Sequence, residues 1–276
     1  MPSPSVTGVG RDRAAILDEL RRRLPRLESG AMRAHPNSVA PLGVAPLDAH
    51  LPHGGVARGA LHEIAPQQHG DTPAAFGFLL ALLARLAPAS RRPILLVGSP
   101  RTDHGRPHGH GLQRLGIDPA RLILVEARNE TQALWAIEEA LRSAVPAAVA
   151  GTIRKLDLRA SQRLQLAAGD TGLPLVLLRP APADEASAAA TRWRIGAAEA
   201  ARDRFGLLAR TRWNVRLVRC RNGRPGDWLV EYDHAAYRFS LAAPLADPAL
   251  SRRAGARPFE LPVSEHSACE VLERAG

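Results

Sequence analysis

The sequence predicts an α/β fold: a mostly parallel sheet flanked by helices, with an antiparallel meander at its edge. Three patterns support this class. Short runs rich in Ile, Val and Leu recur as far as residue 178, helical stripes lie between them, and beyond residue 212 closely spaced strand patterns flank a turn. The runs are 60–65, 93–97, 122–125, 147–150 and 174–178, and their apolar character fits strands buried on both faces. The intervening helices are 73–86, 131–143 and 158–168. Asn129 and Gln132 stand as N-cap and capping-box partner of the second. Repeated β–α–β order makes successive strands parallel, because each crossover helix returns the chain to the same end of the sheet. The meander strands are 213–219, 228–232 and 237–241, the first two joined by the turn signal Arg221-Asn222-Gly223-Arg224-Pro225-Gly226.

Outside this core, residues 11–24 place Ile16, Leu17, Leu20 and Leu24 on one stripe of an amphipathic helix that Pro25 stops. Residues 33–46 are punctuated by proline and read as a linker. After residue 243 the chain is rich in Ala, Pro and Arg with little periodicity, which reads as a flexible tail. The expected organisation is an N-terminal helix and linker over 1–40, a core over 41–242 and a C-terminal tail over 243–276.

Composition narrows the class. Apolar residues are 45% of the 276, enough for a packed globule. There is no apolar run of about 18 residues, so no membrane span is expected. The N-terminus breaks into Arg11, Asp12 and Arg13 before an apolar segment forms, so no secretory signal is read and a cytoplasmic protein is expected. Cys220 and Cys269 are too few for a disulfide framework. The net charge of +10 favours polyanionic partners such as nucleic acid. Nearly all the basic residues are arginine, as a GC-rich genome also produces, and Lys155 is the only lysine.

The stretch from Leu47-Asp48 through Gly54-Gly55 and Gly59 to Glu63-Ile64 resembles the entry to a RecA-like ATPase core. A phosphate-binding loop follows there. Its glycines let backbone N–H groups curl around phosphate, and its lysine reaches the β and γ oxygens. Here the loop reads Ala65-Pro66-Gln67-Gln68-His69-Gly70-Asp71-Thr72. Only Gly70 and Thr72 resemble the motif, and Asp71 stands where the lysine is expected. A carboxylate a few ångströms from a triphosphate turns attraction into repulsion. The acidic residue that such ATPases place after the second strand is replaced by Gly98-Ser99-Pro100, and the magnesium-binding Asp after the fourth by Gly151-Thr152. Joint loss of lysine, base and metal ligand predicts no ATPase chemistry, no catalytic residue and no cofactor.

A closer resemblance, over about 47–241, is to the ImuA family. It is carried by Gly116-Ile117-Asp118-Pro119-Ala120-Arg121 and the strand after it, by 133–143, by 156–168, by Ala190-Thr191-Arg192-Trp193-Arg194, and by the turn from Arg221 to Trp228. The resemblance implies a RecA-like fold with degenerate nucleotide motifs. It implies a non-catalytic accessory protein of error-prone translesion synthesis in the SOS response to DNA damage. The partners it implies are ImuB, a catalytically dead Y-family polymerase homologue, and RecA, with an error-prone polymerase III alpha-type subunit reached indirectly. Two alternatives stay open. One is a cell-division inhibitor of the SulA type, a related shrunken RecA-like fold. The other is a weak RecA-class ATPase or DNA-binding protein with Arg58 or Arg101 replacing the lysine, although neither sits in the loop.

Two basic sets are candidates for nucleic acid. Arg154, Lys155, Arg159 and Arg163 follow the fourth strand, where Arg159 and Arg163 share a helix face. Arg210, Arg212, Arg216, Arg219, Arg221 and Arg224 are interleaved with Trp213 and Trp228. Aromatics at strand spacing more often pack a sheet, so the Trp rings are expected inside. His104, His108 and His110 could ligate a metal, but a solvated loop is the favoured reading. Partner-binding candidates are the stripe Ile16, Leu17, Leu20 and Leu24, and Phe259 and Leu261 in the tail.

Overall fold

The computed structural model describes residues 39–87, 90–99, 102–181, 185–202, 205 and 207–242. Strand β1 (Val39–Ala40) pairs antiparallel with β2 (Val56–Ala57), and the short helix α1 (Ala45–Asp48) lies between them. The Asp48 carboxylate accepts the N–H groups of Leu42, Gly43 and Val44 at 2.9–3.1 Å. That satisfies donors a tight loop would otherwise strand. Ala40, Leu42, Val44 and Leu47 are buried in the main core. The stretch expected as a linker over 33–46 is therefore packed structure from residue 39 onward, with Pro46 in the first turn of α1.

The main sheet is built from β3 (Leu61–Pro66), β4 (Ile94–Gly98), β5 (Leu122–Glu126), β6 (Ala148–Thr152), β7 (Leu175–Leu178), β8 (Thr191–Ala197), β9 (Ala201–Arg202), β10 (Leu208–Cys220), β11 (Gly226–Asp233) and β12 (Arg238–Leu241). Its helices are α2 (Thr72–Leu86), α3 (Gly109–Arg114), α4 (Glu130–Ser143) and α5 (Leu158–Thr171). Spatial order is β5-β4-β6-β7-β3-β8-β10-β11-β12, with β9 beside β10. From β5 to β8 every neighbouring pair is parallel; β10, β11 and β12 run antiparallel. The expected α/β class, the five parallel strands and the edge meander are all present.

Two cores follow from strand alternation. On one face α2, through Phe78 and its neighbours, packs with Ile64, Trp193, Trp213, Tyr232 and Phe239. Nine of its fifteen residues are buried, as expected of a helix covered nearly all round. On the other face α4 and α5 present Ile137, Leu141, Leu164 and Ala168 to Leu61, Val97, Val149 and Leu177. Their starts are capped as helix chemistry requires. Asn129 Oδ1 accepts the Gln132 N–H at 2.9 Å, and Asp157 Oδ1 accepts the Ala160 N–H at 2.6 Å. Gln132 Oε1 takes the Arg128 N–H at 3.1 Å, so the expected capping box is shifted one residue outward.

Two expectations are corrected. Residues 122–125 are not buried on both faces: β5 is the edge strand, and Ile123 and Leu124 are each 48% exposed. A central strand was missing from the expected set: β8 lies between β3 and β10, with Thr191, Trp193 and Ile195 buried and Arg192 and Arg194 facing the other way. Among the described residues no helix is long and apolar enough to cross a membrane.

Candidate functional site

The carboxyl ends of parallel strands are where α/β sheets gather their functional loops. β3 ends at Pro66, and the chain turns through a short 3-10 segment, His69–Asp71, into α2. In a phosphate loop the N–H groups here would point at the ligand. In this chain Asp71 is buried and turns its carboxylate onto the backbone. Its Oδ2 accepts the Gln68 N–H at 3.2 Å, and its Oδ1 accepts the Ala197 N–H, at the end of β8, at 3.0 Å. The Gln67 N–H donates to Ile195 O at 2.9 Å, and the Gln67 side-chain amide donates to Asn214 O at 3.3 Å. Gly196 makes room for that amide, because a Cβ there would lie 2.5 Å from it. The loop is thus sewn to β8 and β10. Gly70 has neither a left-handed φ nor a close neighbour that demands glycine, and Thr72 simply begins α2. Beside the loop opens a polar cleft of about 860 Å³, bounded by Gln67, Asp71, Arg194, Arg216, Asp227 and Trp228.

The neighbouring strand ends carry no carboxylate toward this loop. β4 ends in Gly98 and β6 in Thr152. His104 lies 3.3 Å from Thr152 Oγ1 through Nε2, and its ring stacks on Phe76 of α2 with centroids 3.7 Å apart. Burial pushes its pKa down. The expected solvated histidine loop is therefore half right: His108 and His110 are exposed, while His104 packs against α2. Among the described residues no three His, Cys, Asp or Glu side chains group to hold a metal ion.

The first basic set stays together. Arg154 and Lys155 precede α5, and Arg159 and Arg163 lie on it, all four exposed. Arg154 pairs with Glu130 at 3.9 Å and Arg163 with Glu138 at 3.4 Å. The second set is spread along β10 by the register. Arg216 faces Arg194 and Asp227 near the cleft, pairing with Asp227 at 2.5 Å. Arg219 donates to Ser187 O at 2.9 Å. Arg221 and Arg224 sit on the turn at the opposite end of β10, where Arg224 donates to Ala49 O at 3.4 Å. The Trp rings pack as expected: Trp213 is buried, and Trp228 stands edge-on to His50. Arg58 precedes β3, so a six-residue strand, about 20 Å, separates it from the loop. It does not replace a loop lysine. Arg101, Ile16, Leu17, Leu20, Leu24, Phe259 and Leu261 lie outside the described residues.

Sequence reading missed a buried polar seam. Glu63 of β3 accepts from Arg192 Nε at 3.0 Å and from Ser187 Oγ at 2.7 Å. Arg212 of β10 holds Glu231 of β11, with both side chains buried. A third network is directed. Trp193 Nε1–H donates to Thr191 Oγ1 at 2.7 Å, that oxygen lies 2.7 Å from His62 Nδ1, and His62 Nε2 lies 2.7 Å from Ala57 O. The Ala57 carbonyl can only accept, so the proton is on Nε2 and the Thr191 hydroxyl donates to Nδ1. The one available signal was a charged or imidazole group inside an apolar strand run at 60–65.

No protein-family model matches the chain. It is 34% identical over 243 residues to Protein ImuA of Caulobacter vibrioides, in two strains, and the match covers 81% of this chain and 97% of the relative. Among solved structures it is similar to SulA from Pseudomonas aeruginosa, at a TM-score of 0.36 and 21% identity, over 44% of this chain and 97% of that one.

Proposed function

The chain belongs to the ImuA family, and from that premise we propose that it is a non-catalytic accessory protein of error-prone DNA synthesis in the SOS response. In this reading it is a cytoplasmic scaffold that binds an ImuB-type polymerase homologue and RecA. The error-prone polymerase III alpha-type subunit is reached only through them. Lys155 and Arg159, exposed and without an ion pair among the described residues, are the groups best suited to touch DNA phosphates.

The observation that carries the non-catalytic part is Asp71. Its carboxylate already accepts the loop N–H of Gln68 and clamps the loop to β8. A phosphate brought to this loop meets a negative charge a few ångströms away, with no lysine to offset it. The chain's one lysine is exposed between β6 and α5. The partner assignment rests on the family resemblance.

Calorimetric titration against the co-encoded ImuB homologue, at physiological salt and without nucleotide, tests the scaffold role. Submicromolar affinity is expected; no binding to a folded ImuB homologue removes the proposal. Magnesium-ATP tests the loop. A ligand at 100 times its dissociation constant adds about 2.7 kcal/mol of stability. No rise in melting temperature is expected here, and a clear rise overturns the reading of Asp71.

A further inference from the structure

A second cleft, of about 300 Å³, lies at the other end of the sheet, between the end of α2, the approach to β3 and the β11–β12 turn. Arg58, Arg85, Gly116, Tyr232 and Tyr237 line it, and among the described residues no carboxylate does. Arg85 spends its Nε–H on Pro41 O at 2.7 Å, and its terminal nitrogens have no acceptor among the described residues. Arg58 makes no ion pair among the described residues, and its Nε is buried with no hydrogen-bond partner. Desolvation and the neighbouring Arg85 charge both pull the Arg58 pKa below its ordinary value. The most deeply buried arginines are matched by carboxylates, Arg192 by Glu63, Arg212 by Glu231 and Arg179 by Glu185, whereas the half-buried Arg58 and Arg121 have no carboxylate partner among the described residues. Two like charges held together, one partly desolvated, are a costly arrangement unless an anion completes it.

We propose that this cleft is a binding site for a phosphate-type oxyanion, held between the guanidinium groups of Arg58 and Arg85. Phosphate fits better than a carboxylate because it can carry two negative charges and offers several oxygen edges to planar guanidinium forks. The walls are built to leave that space. Gly116 has a left-handed φ of +84°, and a Cβ on it would lie 3.3 Å from the Tyr237 ring, so any side chain there would press the ring away. The Tyr232 hydroxyl is committed to Leu115 O at 2.9 Å, and burial pushes its pKa up to about 12, so it adds no negative charge to the cleft. The site lies a full α2 length, about 22 Å, from the Asp71 loop. It does not depend on the scaffold role proposed above.

The test is calorimetric titration of the full chain with inorganic pyrophosphate, at fixed ionic strength held with sodium chloride. Saturable binding is expected. Arg58→Gln and Arg85→Gln should each weaken it at least tenfold, while Arg128→Gln, at an exposed arginine before α4, leaves it unchanged. Because Arg58 is partly buried, melting temperatures without ligand identify a misfolded variant, and the exposed Arg85 then decides alone. A single-stranded oligothymidylate is added in competition. Displacement of pyrophosphate assigns the site to a phosphodiester strand, and no displacement assigns it to a small phosphate ligand. Absence of pyrophosphate binding overturns the proposal, as does an equal loss in Arg128→Gln.

Discussion

In β3, β4, β6 and β7 the sheet is covered on both faces, by α2 on one side and by α4 and α5 on the other. In β8, β10 and β11 the described helices cover only the α2 side. The first half presents Leu, Val and Ala to both layers. The second alternates strictly: Trp193, Trp213, Val215, Val230 and Tyr232 go inward, while Arg192, Arg194, Arg212, Arg216, Asp227 and Glu231 share the other face. A doubly covered half gains from apolar burial alone. A half with one open face must satisfy polar groups across strands, and it does so with arginine–carboxylate pairs. Those pairs are not equal. Arg212 and Glu231 are each 7% exposed, whereas Arg216 and Asp227 are 60% and 62% exposed, so only the former sits where an orphaned charge is costly.

The sharpest way to break the comparison is Glu231→Ala. It strands the buried Arg212 guanidinium and should cost about 3–5 kcal/mol in chemical denaturation. A loss below about 1 kcal/mol would mean that water reaches this pair.

The seam between the halves should respond to acid. His62 is buried and held neutral, its pKa lowered to about 4 by desolvation. The unfolded chain takes up a proton below the ordinary 6.5, and the native chain refuses it until about 4. Stability from this group is therefore present in full above 6.5 and falls as pH drops toward 4, by about 1 kcal/mol per pH unit. Denaturation at pH 7 and pH 5 measures it. His62→Gln should flatten that slope, and an unchanged slope would acquit His62.

Asp71→Ala removes two charge-assisted hydrogen bonds, one within the loop and one that joins it to β8, at a cost of about 1.5–3 kcal/mol. Hydrogen exchange at the Gln68 and Ala197 amides should rise with it; protection kept at both amides would show another acceptor. The smallest effect is expected for Asp227→Ala, within about 0.5 kcal/mol, because its pair with Arg216 is largely solvated. Equal costs for Asp227→Ala and Glu231→Ala would erase the distinction between the two pairs.

Much of the covered half was legible because burial on both faces leaves a local mark. Residues 93–97, 147–150 and 174–178 are unbroken apolar runs, 60–65 is one interrupted by His62 and Glu63, and all four are interior parallel strands. The same mark misled at 122–125, since an apolar run does not say whether a neighbour pairs on both sides. The open half was less legible. Thr191–Ala197 carries alternation that reads as a half-buried strand, yet two of its alternate positions are arginines, which resemble a solvated segment until Glu63 is beside them. At the candidate site the missing lysine could be read directly. The acceptor role of Asp71 could not, because its second partner is Ala197, 126 residues away.

The sequence by itself determined the layered class, the order of five parallel strands and their three main helices, the missing lysine and the absence of carboxylates after β4 and β6. These are local chemistry: periodicity, capping residues and residue identity at a turn. Only the tertiary structure decided that β8 lies between β3 and β10, that Glu63 and Glu231 are the counter-ions of buried arginines, and that Arg58 and Arg85 meet without one. Strand neighbours are set by where crossovers return the chain, and a charge's partner by the resulting register. Neither is written in the residues adjacent to it.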